Sequence, residues 1–413
     1  MIPPTARAAR APRARVLGLR PGDDILAGIL AADFFGAIGA SMVFLTMVWW
    51  VLQQGTSDLV FGLMMLSIIL PLNLGVLISG PIVARIGARR LLILSKLCAL
   101  IGASLCLTLL ALDLLTLPLL AMIAAGTYMS LGPSVTADLS RAPAIARLAG
   151  RRLIDFNAAN GLVMLIGSVA GFWLAGQLND RGLAVTSLRV AVAFVVLSVF
   201  WTWLSFPRDR LQAAFAGSAN AHLMFLVRKV LIEANRKTII RNTAICAALL
   251  LAVSDVYEDI VAPLKIRELA YLSSALSYAL IASLLASAVV TVLAPMLHER
   301  VALQKIFAAC AFGALLSMGL HLLEVTLWVL IPVIFITTIS AGVTATLGFT
   351  IMQERMPQSL QAQAIGLWQS MTMSLGSMAI LVGGLLGTEA VWFIAALALL
   401  VALFTLVVKI DEG

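Results

Sequence analysis

Apolar runs of about twenty residues recur along this chain from residue 25 to residue 409, and a run of that length crosses the hydrocarbon core of a bilayer as one helix. A backbone in hydrocarbon must satisfy its own N–H and C=O groups, so a lipid-spanning run of this kind folds as a helix. The pattern predicts an all-α polytopic membrane protein with twelve transmembrane helices. Their expected positions are 25–52, 57–83, 90–112, 114–136, 153–178, 185–206, 242–263, 271–296, 304–323, 325–350, 363–386 and 389–409. With 62% hydrophobic and 12% charged residues over 413 positions, the chain cannot bury its apolar surface as a soluble domain.

The 28 Lys and Arg residues set the orientation, because short cytoplasmic loops collect them. One side takes twenty-four: the arginines of the tail, the group Arg85, Arg89, Arg90 and Lys96, the group from Arg141 to Arg152, the long interval 207–241, and Arg300, Lys305, Arg355 and Lys409. The other side takes only Arg181, Arg189, Lys265 and Arg267. Both termini are therefore expected in the cytoplasm. The net charge of +8 reads as a topology signal, and nucleic acid is not an expected partner.

Five regions follow: a cytoplasmic tail at 1–24, a six-helix bundle at 25–206, a cytoplasmic linker with a basic amphipathic helix at 207–241, a second six-helix bundle at 242–409, and a short tail at 410–413. The linker helix either lies on the inner membrane surface or only joins the two bundles. The bundles are expected to be pseudo-symmetric halves. "SLGPSVTADLSRAP" and "TLGFTIMQERMP" share Leu-Gly, an acid and Arg-x-Pro, with Arg141 and Arg355 214 positions apart. "IGSVAGF" and "LGSMAIL" repeat at an offset of 209. Two repeats in order at similar offsets indicate a duplicated unit, and a midplane site between halves is a transporter architecture.

The segment Gly80 to Leu94, "GPIVARIGARRLLIL", resembles the loop between helices 2 and 3 of the major facilitator superfamily. Gly80, Arg85, Gly87, Arg89 and Arg90 match that pattern, while its Asp falls on Ala84. "GSVAG" from Gly167 resembles the helix 5 motif of antiporters, with Ser168 in place of Pro. "MQERMPQSLQAQAIGL" is similar to the corresponding loop of the branch with macrolide efflux proteins and enterobactin exporters. The resemblance implies a cytoplasmic gate at Gly80, Arg85, Gly87, Arg89 and Arg90, with partners at the helix ends bearing Asp138, Arg141, Glu354 and Arg355. The absence of Asp at 84 implies a weaker gate. A purely topological role for the arginines stays open. Gly167, Gly171, Gly383 and Gly384 read as helix-packing positions, since small residues let helices approach in membranes.

Carboxylates within apolar runs carry the functional reading. Asp255, Glu258 and Asp259 follow one another at i, i+3 and i+4, so a helix sets them on one face. By helical rise from Arg241, Asp255 lies about 21 Å along its span and Asp259 about 27 Å, in the outer third. Facing lipid would be intolerable, so the face should line a watery cavity where a proton can be exchanged. The other reading is a helix that stops near Pro263 and leaves the acids hydrated. Asp33 in "ILAADFFGAIGA" is a second cavity acid, or else a cap or polar packing group. His222, His298 and His321 are scattered, so no metal site is expected. Cys98, Cys106, Cys246 and Cys310 read as small packing residues.

The function expected is secondary active transport with no cofactor: proton-coupled efflux of a small amphiphilic drug or siderophore by an antiporter of the bacterial inner membrane, with the lipid bilayer and a small-molecule substrate as partners. No P-loop is present, so an ion gradient should supply the energy. The alternatives are a solute importer, an intramembrane enzyme and a sensor or scaffold. An enzyme is disfavoured because no His, Ser or Cys constellation stands out.

Overall fold

In a computed structural model, residues 21–79, 82, 86–148, 153–205, 232–233, 235–323, 326–355 and 361–408 are described. Among them, twelve long helices follow in order: α1 (Pro21–Gln53), α2 (Asp58–Leu77), α3 (Ala88–Ala111), α4 (Leu117–Leu148), α5 (Leu153–Asp180), α6 (Ala184–Ser205), α7, α8 (Ser273–Arg300), α9 (Leu303–Leu323), α10 (Leu327–Arg355), α11 (Gln361–Leu386) and α12 (Ala390–Val407). Helix α7 is continuous in three stretches: Thr238–Val256, a π-helical turn at Tyr257–Val261, and Ala262–Glu268. By length and composition, ten segments among the described residues can cross a membrane; one, Ser374–Val407, covers parts of α11 and α12, and acid-bearing α7 is not among them. The outside of the bundle is apolar, with Ile101, Leu162, Leu316, Leu385 and Leu406 exposed, as a lipid-facing surface requires.

The helices pack as two equivalent sets. α1 lies on α5 and α6 as α7 lies on α11 and α12. α2 lies on α4 as α8 lies on α10, and α3 on α4 and α6 as α9 on α10 and α12. Across the sets, α2 meets α11 and α5 meets α8. The order of pairs is thus the repeat expected from the duplicated motifs. One pair departs from it: α7 packs along α10, whereas α1 meets α4 at only a few positions.

The turns 54–57, 112–116, 181–183, 269–272 and 387–389 gather at one end of the bundle, here the short-turn face. Gly387 makes the last of these turns at φ +59°, a conformation that favours glycine, and a Cβ there would run into the Asp58 carboxylate. At close crossings elsewhere, a Cβ on Gly167 would lie 2.7 Å from the Phe34 carbonyl oxygen, and one on Gly171 2.5 Å from that of Ile38. A Cβ on Gly383 would meet the Val256 side chain at 2.7 Å.

Inside the second set, the Tyr257 hydroxyl lies 2.8 Å from His321 Nδ1, linking α7 to α9 with both residues buried. The two rings meet edge to face. Tyr257→Phe leaves the imidazole nitrogen without that partner, which costs about 1–3 kcal/mol when no water can replace it. Thermal unfolding in detergent is expected to show a lower midpoint for this variant. An unchanged midpoint would mean that the pair contributes nothing to stability.

Candidate functional site

The π-turn of α7 has a local cause. Pro263 has no N–H, and its ring crowds the carbonyl four residues earlier, that of Asp259. The chain responds with one wide turn, in which the Ala262 N–H reaches back to the Tyr257 carbonyl. The helix then continues through Pro263 to Glu268. Asp255, Glu258 and Asp259 therefore stand well inside the helix and not at a hydrated end near Pro263. Along this stretch Ala252, Val253, Ser254, Val256, Tyr257, Ile260 and Val261 are buried, while all three acids are half-buried. They thus share the accessible side of α7.

Each acid has a different neighbour. Asp255 lies over Gly376 of α11, where a Cβ would collide with its Oδ2. Glu258 Oε2 accepts a 2.6 Å hydrogen bond from Ser283 Oγ of α8. Asp259 is within electrostatic reach of Asp255, of Glu258 and, across the two sets, of Tyr128 on α4. None of the three is ion-paired with Lys or Arg among the described residues.

Asp33 sits in a second place. It is 8% exposed in α1 and forms an ion pair with Lys96 of α3, Nζ to Oδ1 3.2 Å. Lys96 Nζ also donates to Ser198 Oγ of α6 at 3.0 Å and to the Ala32 carbonyl at 3.4 Å. The charge bias along the sequence includes Lys96 among the loop cations. It stands instead more than two turns inside α3, and its own context, "LLILSKLCALIG", was the signal that could have marked it. A charge this deep persists because a buried counter-ion and a hydroxyl satisfy it.

Asp33 and Lys96 border a cavity of about 280 Å³ where α1 stands off from α4. Tyr128 and Thr127 of α4, Phe44 and Met47 of α1 and Met64 of α2 also line it. Tyr128 thus belongs to the cavity wall; of the four acids expected to line a cavity, Asp33 does so and Asp255, Glu258 and Asp259 are not in its lining.

The expected gate falls partly beyond reach. Gly80, Ala84 and Arg85 lie outside the described residues, as do the side chains of Asp138, Arg141 and Glu354. Gly87 caps α3 at φ +83°, Arg89 Nη2 donates to the Trp203 carbonyl of α6 at 3.5 Å, and Arg90 is exposed. The Arg355 carbonyl accepts a hydrogen bond from Lys237 Nζ.

The described contacts that join the two sets gather instead toward the short-turn face. Arg267 at the end of α7 donates to Asp58 Oδ1 at 2.6 Å and to the Thr56 carbonyl at 2.8 Å. Asp180 Oδ1 accepts from the Ser274 N–H at 3.1 Å, and Ser277 Oγ donates to the Phe172 carbonyl at 2.9 Å. Gly62 of α2 and Gly384 of α11 touch backbone to backbone. Deeper in, Asn73 Nδ2 donates to Ser377 Oγ at 2.8 Å. Sequence reasoning missed this closure, since each contact joins residues 94 or more positions apart.

Three solved structures show the same fold at low identity. A point mutant of the nucleoside transporter NupG superposes with a TM-score of 0.74 at 12% identity, over 92% of this chain and 99% of that one. A bacterial homologue of the iron transporter ferroportin, in an inward-facing state, gives 0.64 at 16% identity over 92% and 98%. A point mutant of the E. coli fucose:proton symporter FucP gives 0.59 at 14% identity over 95% and 100%. No curated protein matches the sequence. The model of the Major Facilitator Superfamily matches residues 29–381, and the chain belongs to that family.

Proposed function

We propose that this chain is a proton-coupled secondary transporter that exports a small amphiphilic molecule by alternating access between its two six-helix halves, residues 25–206 and 242–409. One observation carries the reading. Three carboxylates without a Lys or Arg partner among the described residues lie half-buried on a membrane helix whose neighbouring positions are buried, and the other half holds an apolar cavity that ends at the Asp33–Lys96 pair. Uncompensated carboxylates in such a setting exchange protons in place of carrying permanent charge. The cavity supplies an apolar surface with one charged end, which suits an amphiphile. Export is supported by the similarity of Met352 to Leu367 to the branch with macrolide efflux proteins and enterobactin exporters. Proton coupling is in keeping with the fold shared with a fucose:proton symporter. The arginine group Arg85, Arg89 and Arg90 with Asp138, Arg141, Glu354 and Arg355 would form the opposing cytoplasmic gate.

The test uses purified protein in liposomes with a pH-sensitive dye inside. Addition of amphiphilic drugs and siderophores across an imposed pH gradient is expected to move protons opposite to substrate. Proton movement in the same direction as substrate would make the protein an importer of the symport type. No substrate-dependent proton movement would overturn the coupling.

Orientation has its own test. With Lys96 set aside, the bias of twenty-three cations against four supports a cytoplasmic location of both termini and of the interval 207–241 in a bacterial inner membrane, with the short-turn face outside. Reporter fusions at Gly413 and within 207–241 are expected to report cytoplasm together. A periplasmic signal at Gly413 would overturn both the orientation and the even span count.

A further inference from the structure

The cavity beside α1 has a shape and a polarity of its own. Its α1 lining runs from Asp33 to Val51, which at helical rise is about 27 Å. Its volume of about 280 Å³ is small for that length, at the low end of the roughly 300–1,000 Å³ usual for ligand pockets. A groove that follows α1 over this length can take an extended chain laid along the helix. Its charged groups, Asp33 and Lys96, gather at the end away from the short-turn face, with Ser198 beside them. Toward the short-turn face the lining is Phe44, Met47, Phe61, Met64 and Leu120.

We propose that this groove holds an unbranched alkyl chain bearing one anionic head, with the head at Lys96 and the chain directed toward the short-turn face. The proposal rests on the transport reading above and names its substrate class. The sign of the head follows from geometry. Both members of the pair line the cavity, and Lys96 is the more accessible of the two, 20% exposed against 8% for Asp33, so the ammonium is the group a ligand reaches first. Asp33 then serves as the counter-ion of the empty groove, and the head group competes with it for Lys96.

The length of the chain is read by the apolar section. Burial of one further methylene corresponds to about a fourfold gain in affinity, up to the length that fills the groove. A plug at Ala124, near the short-turn end of the lining, shortens that length.

The experiment measures binding of alkanoates from hexanoate to dodecanoate, and of the matching alkyltrimethylammonium ions, to the full chain in nanodiscs. Empty nanodiscs provide the correction for partition into lipid. Alkanoate affinity is expected to rise with length and then level off. Lys96→Met should weaken every alkanoate by more than about tenfold, the loss of one charge-assisted contact, and Asp33→Asn should tighten them. Ala124→Phe, or Ile123→Phe if the first variant does not fold, should move the plateau to a shorter chain and leave hexanoate unaffected. Tighter binding of the ammonium series overturns the head assignment. A plateau unmoved in the plugged variants overturns the groove as the chain site. Proton-driven transport of another amphiphile without alkanoate binding defeats the substrate class alone. Alkanoate binding with no proton-driven movement of alkanoate in vesicles defeats the transport reading alone.

Discussion

Asp255→Asn is expected to abolish transport driven by a pH gradient while leaving substrate binding and passive exchange near wild type. The residue stands inside α7, half-buried, with buried Ser254 and Val256 on either side. Its side chain rests in the space that Gly376 leaves open, so any change in how α7 meets α11 changes its surroundings directly. A proton held in one conformation and released in the other links the gradient to the conformational equilibrium, and the size of the link is the difference in proton affinity between the two. Each unit of such a difference is worth about 1.4 kcal/mol. Asparagine keeps the shape and cannot take the proton, so only the link is lost. Glu258→Gln should be milder, because Ser283 already supplies Glu258 with a donor at 2.6 Å. The measurement is substrate flux in vesicles with and without an imposed gradient. Normal gradient-driven flux in Asp255→Asn, with an unchanged pH profile, would place the coupling elsewhere.

What the sequence made legible was set by repetition. Twelve apolar runs became twelve helices because a bilayer offers a long apolar run no other fold. Arg141 and Arg355, the arginines of the two Arg-x-Pro motifs, fall on α4 and α10, which hold equivalent places in the two packed sets. The three acids are all half-buried inside α7, with Asp255 against α11 and Glu258 against α8. What stayed hidden depends on single residues or long-range partners. The π-turn has no sign in composition beyond Pro263, whose effect could equally have been a helix end. Lys96 reads as a loop cation in sequence because a count of loop cations sees only proximity to a span end, not a counter-ion 63 positions away. The gap between α1 and α4 is a departure from the repeat, and duplicated motifs predict only what the halves share. The ion pair of Asp58 with Arg267 joins residues 209 positions apart.

Gly62→Leu is expected to prevent closure of the short-turn face and to reduce gradient-driven transport by more than about tenfold, the loss that follows when a step of alternating access is blocked. The two glycines meet without side chains between them: a Cβ built on Gly62 would lie 2.5 Å from Gly384 Cα, and one on Gly384 2.7 Å from Gly62 Cα. Neither neighbour is a flexible side chain that could swing aside, so α2 and α11 must move apart. Asp58 lies one turn before Gly62, and its 2.6 Å contact with Arg267 depends on the same approach. Separation of α2 from α11 therefore also breaks the ion pair between the halves. A Ser273→Cys reporter reads the result, since Ser273 is fully buried at this face. A membrane-impermeant maleimide should label that cysteine faster in the Gly62→Leu background than in the parent. Gly126→Leu is the control for added bulk, because a Cβ there meets nothing within 4 Å. Unchanged labelling together with normal transport in Gly62→Leu would show that the crossing yields readily, and that closure of this face does not depend on the approach of the two glycines.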